Sequence, residues 1–252
     1  MSSLNPAGDD GLTAEDAEVR RGDTECDQPP ILVVAALSYE LEKLNRATHA
    51  GLALLETGEG VGNAERHLNA WLERSIARVV LSIGFAGALS PSLQIGDVVI
   101  ANSIRDSNET PDLNLLSAAR QVRIDAPVHF AVALTSHEIL WQADSKRALA
   151  SSLGQNEIGF VDMESIAIAG VCARRGVPFL IVRSITDLLD EDLPLDFNQY
   201  RTPDGRVDPR KVAKAALLRP AAIKGLLDLR QRSRLCAERM AQFVERLVPL
   251  IS

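Results

Sequence analysis

Four short stretches and one isolated acid carry the residue types that could do chemistry. Thr57-Gly58-Glu59-Gly60-Val61-Gly62-Asn63-Ala64 sets three glycines between an apolar run and a helical pattern. Backbone N–H groups at such a helix entry can hold an anion or the hydroxyls of a sugar. Taken alone, the stretch reads equally as a tight strand-to-helix turn. A dinucleotide fingerprint is the rival reading and fits poorly. Asn63 stands where its third glycine belongs, the motif follows the second apolar run, and Arg78–Ile83 does not end in a ribose-binding acid. Gly84-Phe85-Ala86-Gly87 ends the third apolar run, where bare Cα atoms allow a ligand to approach the backbone or simply let the chain turn sharply.

Asp162-Met163-Glu164-Ser165 brackets a methionine with two acids where a strand hands over to a helix. Glu164 by itself reads as an acid favoured by the helix macrodipole. Arg183-Ser184-Ile185-Thr186-Asp187 places an arginine inside a β-branched run and an acid at its end. A buried arginine is costly unless paired, and an acid at a strand's C-terminal end points into the crevice where α/β sheets bind ligands. Glu40 lies just beyond the first apolar run. The four histidines, His49, His67, His129 and His137, have no metal-ligand spacing, and His137-Glu138 lacks the second histidine of a zinc-protease helix. They read as structural or solvated, and no metal is expected.

The elements that must position these residues follow from the apolar pattern. Ile31–Leu37, Leu52–Glu56, Arg78–Ile83, Val98–Ala101, Val128–Leu134, Gly159–Val161 and Phe179–Ile185 are short, continuous apolar runs, as strands buried on both faces give. Helical segments are expected near Tyr39–Arg46, Ala64–Arg74 and Met163–Arg174. The alternation predicts an α/β fold with a sheet between helices. A polar loop over Leu193–Gly205 precedes three helix-length segments, Arg210–Leu218, Ala221–Arg232 and Leu235–Leu247. Residues 1–29 hold eight acidic residues against Arg20 and Arg21 and read as a disordered acidic tail. Residues 30–252 then form a single domain whose part from 206 to 252 is a basic helical C-terminal extension, with eleven Lys and Arg against four Asp and Glu.

Composition narrows the classes. A net charge of −7 argues against a nucleic-acid binder. The scattered Cys26, Cys172 and Cys236 form no disulfide framework and favour a reducing, cytoplasmic compartment. No stretch is long and apolar enough to span a bilayer, and the N-terminus lacks the order of a signal peptide.

Each stretch is weak alone, but their order along the chain resembles the nucleoside phosphorylase/nucleosidase superfamily, and most of all its methylthioadenosine/S-adenosylhomocysteine nucleosidase branch. The resemblance spans about Ile31 to Asp187. It implies a three-layer α/β/α sandwich around a mixed, twisted sheet, and a homodimer or higher oligomer. It implies cleavage of the N-glycosidic bond of a purine nucleoside. By that resemblance Glu40 activates the attacking water, with Arg183 nearby. Glu164 binds the ribose hydroxyls, Met163 packs on the sugar, and Asp187 protonates the purine at N7. Asp162, Gly58, Gly60, Phe85, Ala86 and Gly87 complete the expected substrate site, and no cofactor is required.

Phosphorylases of this superfamily commonly place an arginine before the third strand's glycine turn and a serine within it. Ser82 and Phe85 occupy those positions here, and a phenylalanine cannot donate to phosphate. Glu40 stands where many of them use an arginine. Water is therefore the expected acceptor and phosphorolysis the alternative. Asp192-Leu193-Pro194-Leu195-Asp196-Phe197-Asn198, followed by basic helices, is similar to the hopanoid-associated members, which release adenine from adenosylhopane. That likeness implies a lipid-linked substrate and peripheral membrane contact through the basic helices; the alternative is that these helices pack on the sheet and turn their charges to water. A nicotinamide-dependent oxidoreductase and a non-catalytic nucleoside sensor are the rival classes.

Overall fold

A computed structural model of the chain describes residues 28–44, 51–202 and 205–251. The acidic tail read over 1–29 lies outside the described residues apart from its last two positions, as do His49 and the last two residues of the helix expected at Tyr39–Arg46.

The seven apolar runs are seven strands: β1 (Ile31–Ala35), β2 (Leu52–Glu56), β3 (Val79–Ala88), β4 (Val98–Ile104), β5 (Val128–Thr135), β6 (Gly159–Asp162) and β7 (Phe179–Asp187). They form one mixed sheet in the order β2-β1-β3-β6-β5-β4-β7, with β7 also pairing with β3. The last pairing closes β3, β6, β5, β4 and β7 into a ring, and β1 and β2 extend from it as a wing. β3 makes this possible because it is long. One edge follows β7 from Val80 to Gly87, while the other pairs Val79–Ser82 with β1 and then Gly87 and Ala88 with β6. The Gly84–Gly87 stretch is thus strand rather than a sharp turn, paired with β7 along its length, and on its other edge the Phe85 N–H is taken by the Glu40 carboxylate.

Continuous apolar strands are explained by burial on two faces. In β1, Leu32 and Val34 point to one apolar cluster, and Ile31, Val33 and Ala35 point to the other. In β7, Phe179, Ile181 and Ile185 face the first cluster, and Leu180 and Val182 the second. Helices α2 (Val61–Arg74) and α5 (Ser165–Arg175) cover the first face, burying Ala64, Leu68, Ile168 and Val171. Three further helices were not apparent as separate units or were divided differently in the sequence. α3 (Leu113–Ala119) covers the second face with Leu115 and Leu116, and α4 (Ala143–Ala150) borders a smaller cluster beside β5 and β6. The segments expected as two helices, Ala221–Arg232 and Leu235–Leu247, are one 28-residue helix, α7 (Pro220–Leu247), which follows α6 (Pro209–Leu218). No glycine or proline interrupts residues 226–247, so nothing in the chain divides it.

The second half of α7 is a layer of the sandwich. Met240, Phe243, Val244 and Leu247 are buried against β1, β3, β4 and β7 residues in the second cluster. Its first half and α6 carry the exposed Leu217, Leu218 and Leu227. No described helix is long and apolar enough to cross a membrane. Phe243→Ala should lower stability by about 3–5 kcal/mol, the usual cost of emptying a buried aromatic site. Leu218→Ala, at a position 77% exposed, should change it by less than about 0.5 kcal/mol. Urea denaturation of both variants measures the difference, and equal effects would show that α7 is not part of the core.

Candidate active site

Because β1, β3 and β7 are parallel, their C-terminal ends lie at one edge of the sheet. Glu40 follows β1, Phe85 and Gly87 lie in the last part of β3, and Asp187 ends β7. β6 runs against β3 and brings Val161 beside Gly87, so Asp162, Met163 and Glu164 arrive at the same place. Together these residues line a cavity of about 590 Å³. Glu40, Phe85, Ala86, Gly87, Asp162, Met163, Glu164 and Asp187 all reach its wall; Gly58, Gly60 and Arg183 do not.

Each acid is held by a local device. Glu40 sits in the short helix α1 (Ser38–Leu41), and its Oε2 accepts from the Leu37 N–H at 2.9 Å. Its Oε1 accepts from the Phe85 N–H at 3.1 Å. A Cβ on Gly84 would lie 3.2 Å from that Oε1, so the glycine gives the acid its room. Burial pushes the Glu40 carboxyl up to about 7, against the lowering effects of the Leu37 N–H, the Arg183 charge and the Phe85 N–H. Glu164 Oε1 accepts from the Gly60 N–H at 2.7 Å. Burial and then the neighbouring Asp162 charge push its carboxyl up, while Arg183 and the Gly60 N–H pull it down.

Gly58 and Gly60 therefore stand behind Glu164, not on the wall. Both have positive φ, 80° and 91°, which suits glycine. The N–H that a pyrophosphate would need at Gly60 is already given to Glu164, which removes the physical basis of the dinucleotide reading.

Asp162 faces inward to the protein. Its carboxylate accepts from the Ser165 N–H at 3.1 Å and from the Ser165 hydroxyl, at the start of α5. It also pairs with Arg183, whose Nε and Nη2 lie 2.8 and 2.7 Å from Oδ2. Arg183 is 1% exposed and gives its remaining donors to the Ser82 carbonyl and hydroxyl and the Val182 carbonyl. The arginine that the resemblance puts near Glu40 and the water is thus tied to Asp162 beneath the cavity, where it acts on Glu40 and Glu164 through its charge.

Asp187 owes its aim to a bulge. Ala86 pairs with Ile185 but Gly87 pairs with Asp187, so Thr186 is an extra residue in β7. A Cβ on Gly87 would fall 3.0 Å from Asp187 Oδ2, so only a glycine leaves that space. Burial pushes the Asp187 carboxyl up, and the Lys146 ammonium, 2.8 Å from Oδ2, pulls it down. Lys146 is fully buried and was missed in the sequence. The available signal was its place, three residues after Ala143 and three before Leu149, on the inward face of α4.

The loop expected over Leu193–Gly205 lends Leu193 and Phe197 to the cavity wall, and Val207 joins them just beyond it. The Asn198 side chain bonds the N–H and carbonyl of Ile139, each at 2.9 Å, and the Val207 N–H donates to Glu59 Oε2 at 3.0 Å. Tyr39, Glu59 and Leu229 also line the wall and were not singled out in the sequence. His129 pairs with Asp97 at 3.1 Å and His67 bonds the Thr57 carbonyl, both away from the cavity wall. No group of three His, Cys, Asp or Glu among the described residues could hold a metal ion.

Carboxyls held above their ordinary range make stability fall with rising pH. Between 4.5 and about 7 the unfolded chain has released the Glu40 proton that the folded protein still binds, so the unfolding free energy has a negative slope with pH there. Glu164, pushed up from 4.5 to about 8, adds to the decline over the same range and extends it to about pH 8. The melting temperature should fall from pH 5 to pH 8, and Glu40→Gln should flatten the decline. A Glu40→Gln slope equal to that of the parent protein would contradict the burial effect assigned to Glu40.

A family model described as the phosphorylase superfamily matches residues 45–218. The chain is 30% identical over 190 residues to the 5′-methylthioadenosine/S-adenosylhomocysteine nucleosidase of Geobacillus thermodenitrificans, covering 67% of this chain and 79% of that protein. It is 28% identical over 172 residues to the enzyme of the same name from Exiguobacterium sp., covering 59% of this chain and 72% of the relative. The fold is similar to the Neisseria meningitidis 5′-methylthioadenosine/S-adenosylhomocysteine nucleosidase in complex with methylthio-immucillin-A, at a TM-score of 0.65 and 18% identity over 88% of this chain and 99% of that one. It is equally similar to a futalosine hydrolase mutant from Helicobacter pylori, at a TM-score of 0.66 and 16% identity over the same shares. The chain belongs to the phosphorylase superfamily.

Proposed function

We propose that this protein hydrolyses the N-glycosidic bond of a purine nucleoside and releases the free base. The observation that carries the reading is the charge of the cavity wall. Glu40, Glu56, Glu59, Glu138, Asp162, Glu164 and Asp187 line it against one arginine, Arg206, and that arginine lies 3.6 Å from Glu56. The wall offers phosphate one cation that already lies beside a carboxylate, whereas its carboxyls can accept from ribose hydroxyls and stabilise a ribose developing positive charge. Water is therefore favoured over phosphate as the acceptor.

The roles are those that the resemblance implies, and chemistry supports them. A purine leaves poorly as an anion and must be protonated as the bond breaks, and Asp187, with its raised pKa, can hold the proton until then. The sugar passes through an oxocarbenium-like state, as in glycoside hydrolysis. Glu164 accepts from the ribose hydroxyls and stabilises that charge. Glu40, half-ionised near neutral pH, takes the proton of the attacking water. Met163 and Phe85 supply apolar contact to the sugar and base.

The nucleosidase names of the relatives support adenine as the base and a substituent on the 5′ carbon. A large apolar substituent, as in adenosylhopane, fits the cavity walls Ile139, Leu140, Leu193, Phe197 and Leu229. Exposed Leu217, Leu218 and Leu227 lie on helices α6 and α7, each of which also lends a residue to the cavity. The residues from Pro209 to Leu227 include five basic and no acidic side chains, a surface that suits an anionic bilayer.

Incubation with 5′-methylthioadenosine and other 5′-substituted adenosines should release adenine at the same rate with and without phosphate. Adenine that forms only when phosphate is added would overturn the hydrolytic reading. Asp187→Asn should lower kcat about 10²–10⁴-fold, the range of a lost general acid. Glu164→Gln should lower it about 10²–10³-fold, as for a lost charge-stabilising group. Full activity in either variant would remove the role given to that residue. The protein should also sediment with anionic phospholipid vesicles in low salt, and recovery wholly in the supernatant would count against a membrane-borne substrate.

A further inference from the structure

We propose that Lys146 is the positioning residue of the acid step: its ammonium fixes the Asp187 carboxyl and stabilises the carboxylate formed when the proton passes to the base. The inference rests on the hydrolytic reading above and names a residue that reading did not need. Lys146 is fully buried, an environment in which an ammonium persists only with partners. It has two, Asp187 Oδ2 at 2.8 Å and the Leu188 carbonyl. No described cavity-lining residue is a lysine, so the ammonium works from behind the wall.

The two carboxyl oxygens are in different settings. Oδ2 is held between Lys146 and the bare Cα of Gly87. Oδ1 accepts from the Thr186 hydroxyl at 3.0 Å. That hydroxyl has a second acceptor in reach, the Ala86 carbonyl at 3.4 Å. It can turn there when Oδ1 carries a proton, so Oδ1 is the oxygen free to act as the acid. During the step, the O–H bond on Oδ1 breaks, N7 of the purine gains the proton, and the C1′–N9 pair of electrons leaves with the base. Asp187 becomes a carboxylate beside a cation that was already in place.

The other charges around Asp187 are accounted for. Glu191, in the loop after β7, is paired with Arg232 of α7 at 2.7 Å, and Arg232 also donates to the Thr186 carbonyl at 3.4 Å. Cys236 of α7 is buried and bonded to the Ile185 carbonyl. Lys146 is thus the cation in direct contact with the acid. Without it, burial alone would hold the proton on Asp187, and the group would be a weaker acid.

Lys146→Met keeps a long unbranched side chain and removes the charge. The test compares it with the parent protein by the pH dependence of kcat for adenine release from 5′-methylthioadenosine, and by the carbon-13 titration of the Asp187 carboxyl, assigned with Asp187→Asn. In Lys146→Met the alkaline limb of kcat and the carboxyl titration should both move up by at least one pH unit. The plateau kcat should fall at least tenfold, with KM changed less than threefold. A kcat profile lowered by the same factor at every pH, with an unmoved carboxyl titration, would show a merely structural lysine and overturn the inference. If Lys146→Met does not fold, the parent protein still decides: the nitrogen-15 shift of Lys146 Nζ should report the Asp187 titration, and its absence would overturn the inference too. A parent protein that releases no adenine without phosphate refutes hydrolysis instead, and the carboxyl titration still decides the lysine–aspartate coupling.

Discussion

A single guanidinium lies under most of the cavity's chemistry. Arg183 projects from the β7 row that also carries Phe179, Ile181 and Ile185, so it enters the sandwich on an apolar face. It is tolerated there because Asp162, Ser82 and the Val182 carbonyl take up its donors. Its charge in turn opposes the burial of Glu40 and Glu164. Removing it would leave Asp162 uncompensated inside the protein and raise the two carboxyls above it. The acid-rich wall is possible because a counter-charge, paired with Asp162, lies just below it.

The same economy of space governs the backbone. Gly84 and Gly87 lack a Cβ where Glu40 and Asp187 approach β3, and the extra residue Thr186 turns Asp187 to its place. A regular ladder would shift the side-chain alternation at the end of β7 and send that acid to the opposite face. Gly60 gives its N–H to Glu164 across 104 positions of chain. These contacts bind the ends of β1, β3, β6 and β7 into one surface, so the rigidity of the ring of strands is passed directly to the three acids proposed to act on the substrate.

Helix α7 serves two purposes along its length. Met240, Phe243, Val244 and Leu247 close the second apolar face, while Leu229 and Ser233 reach the cavity and Leu227 is exposed. A helix anchored at one end in the core and open at the other can carry a surface next to the cavity without moving it. The basic charge that marked this region in the sequence belongs largely to its exposed turns.

The strands were legible because burial on both faces leaves uninterrupted aliphatic runs, and Arg183 and Asp187 were legible because a charge inside such a run and an acid at its end break the pattern, whereas Glu40 and Glu164 took their roles from the resemblance. Lys146 was not legible, because a lysine followed by an arginine on a short helix reads as solvated until the helix is placed against β7. The closing of β3 on β7 and the bulge at Thr186 were likewise beyond the sequence, whereas the continuity of α7 could have been read from a stretch free of glycine and proline. The sequence by itself determined which residues could be strand, helix and acid, since those depend on composition and on periods of two and 3.6 residues. Only the tertiary structure decided that Arg183 answers Asp162, that Gly60 answers Glu164 and that Lys146 answers Asp187, because each pair joins elements far apart in the chain whose meeting depends on sheet order and register.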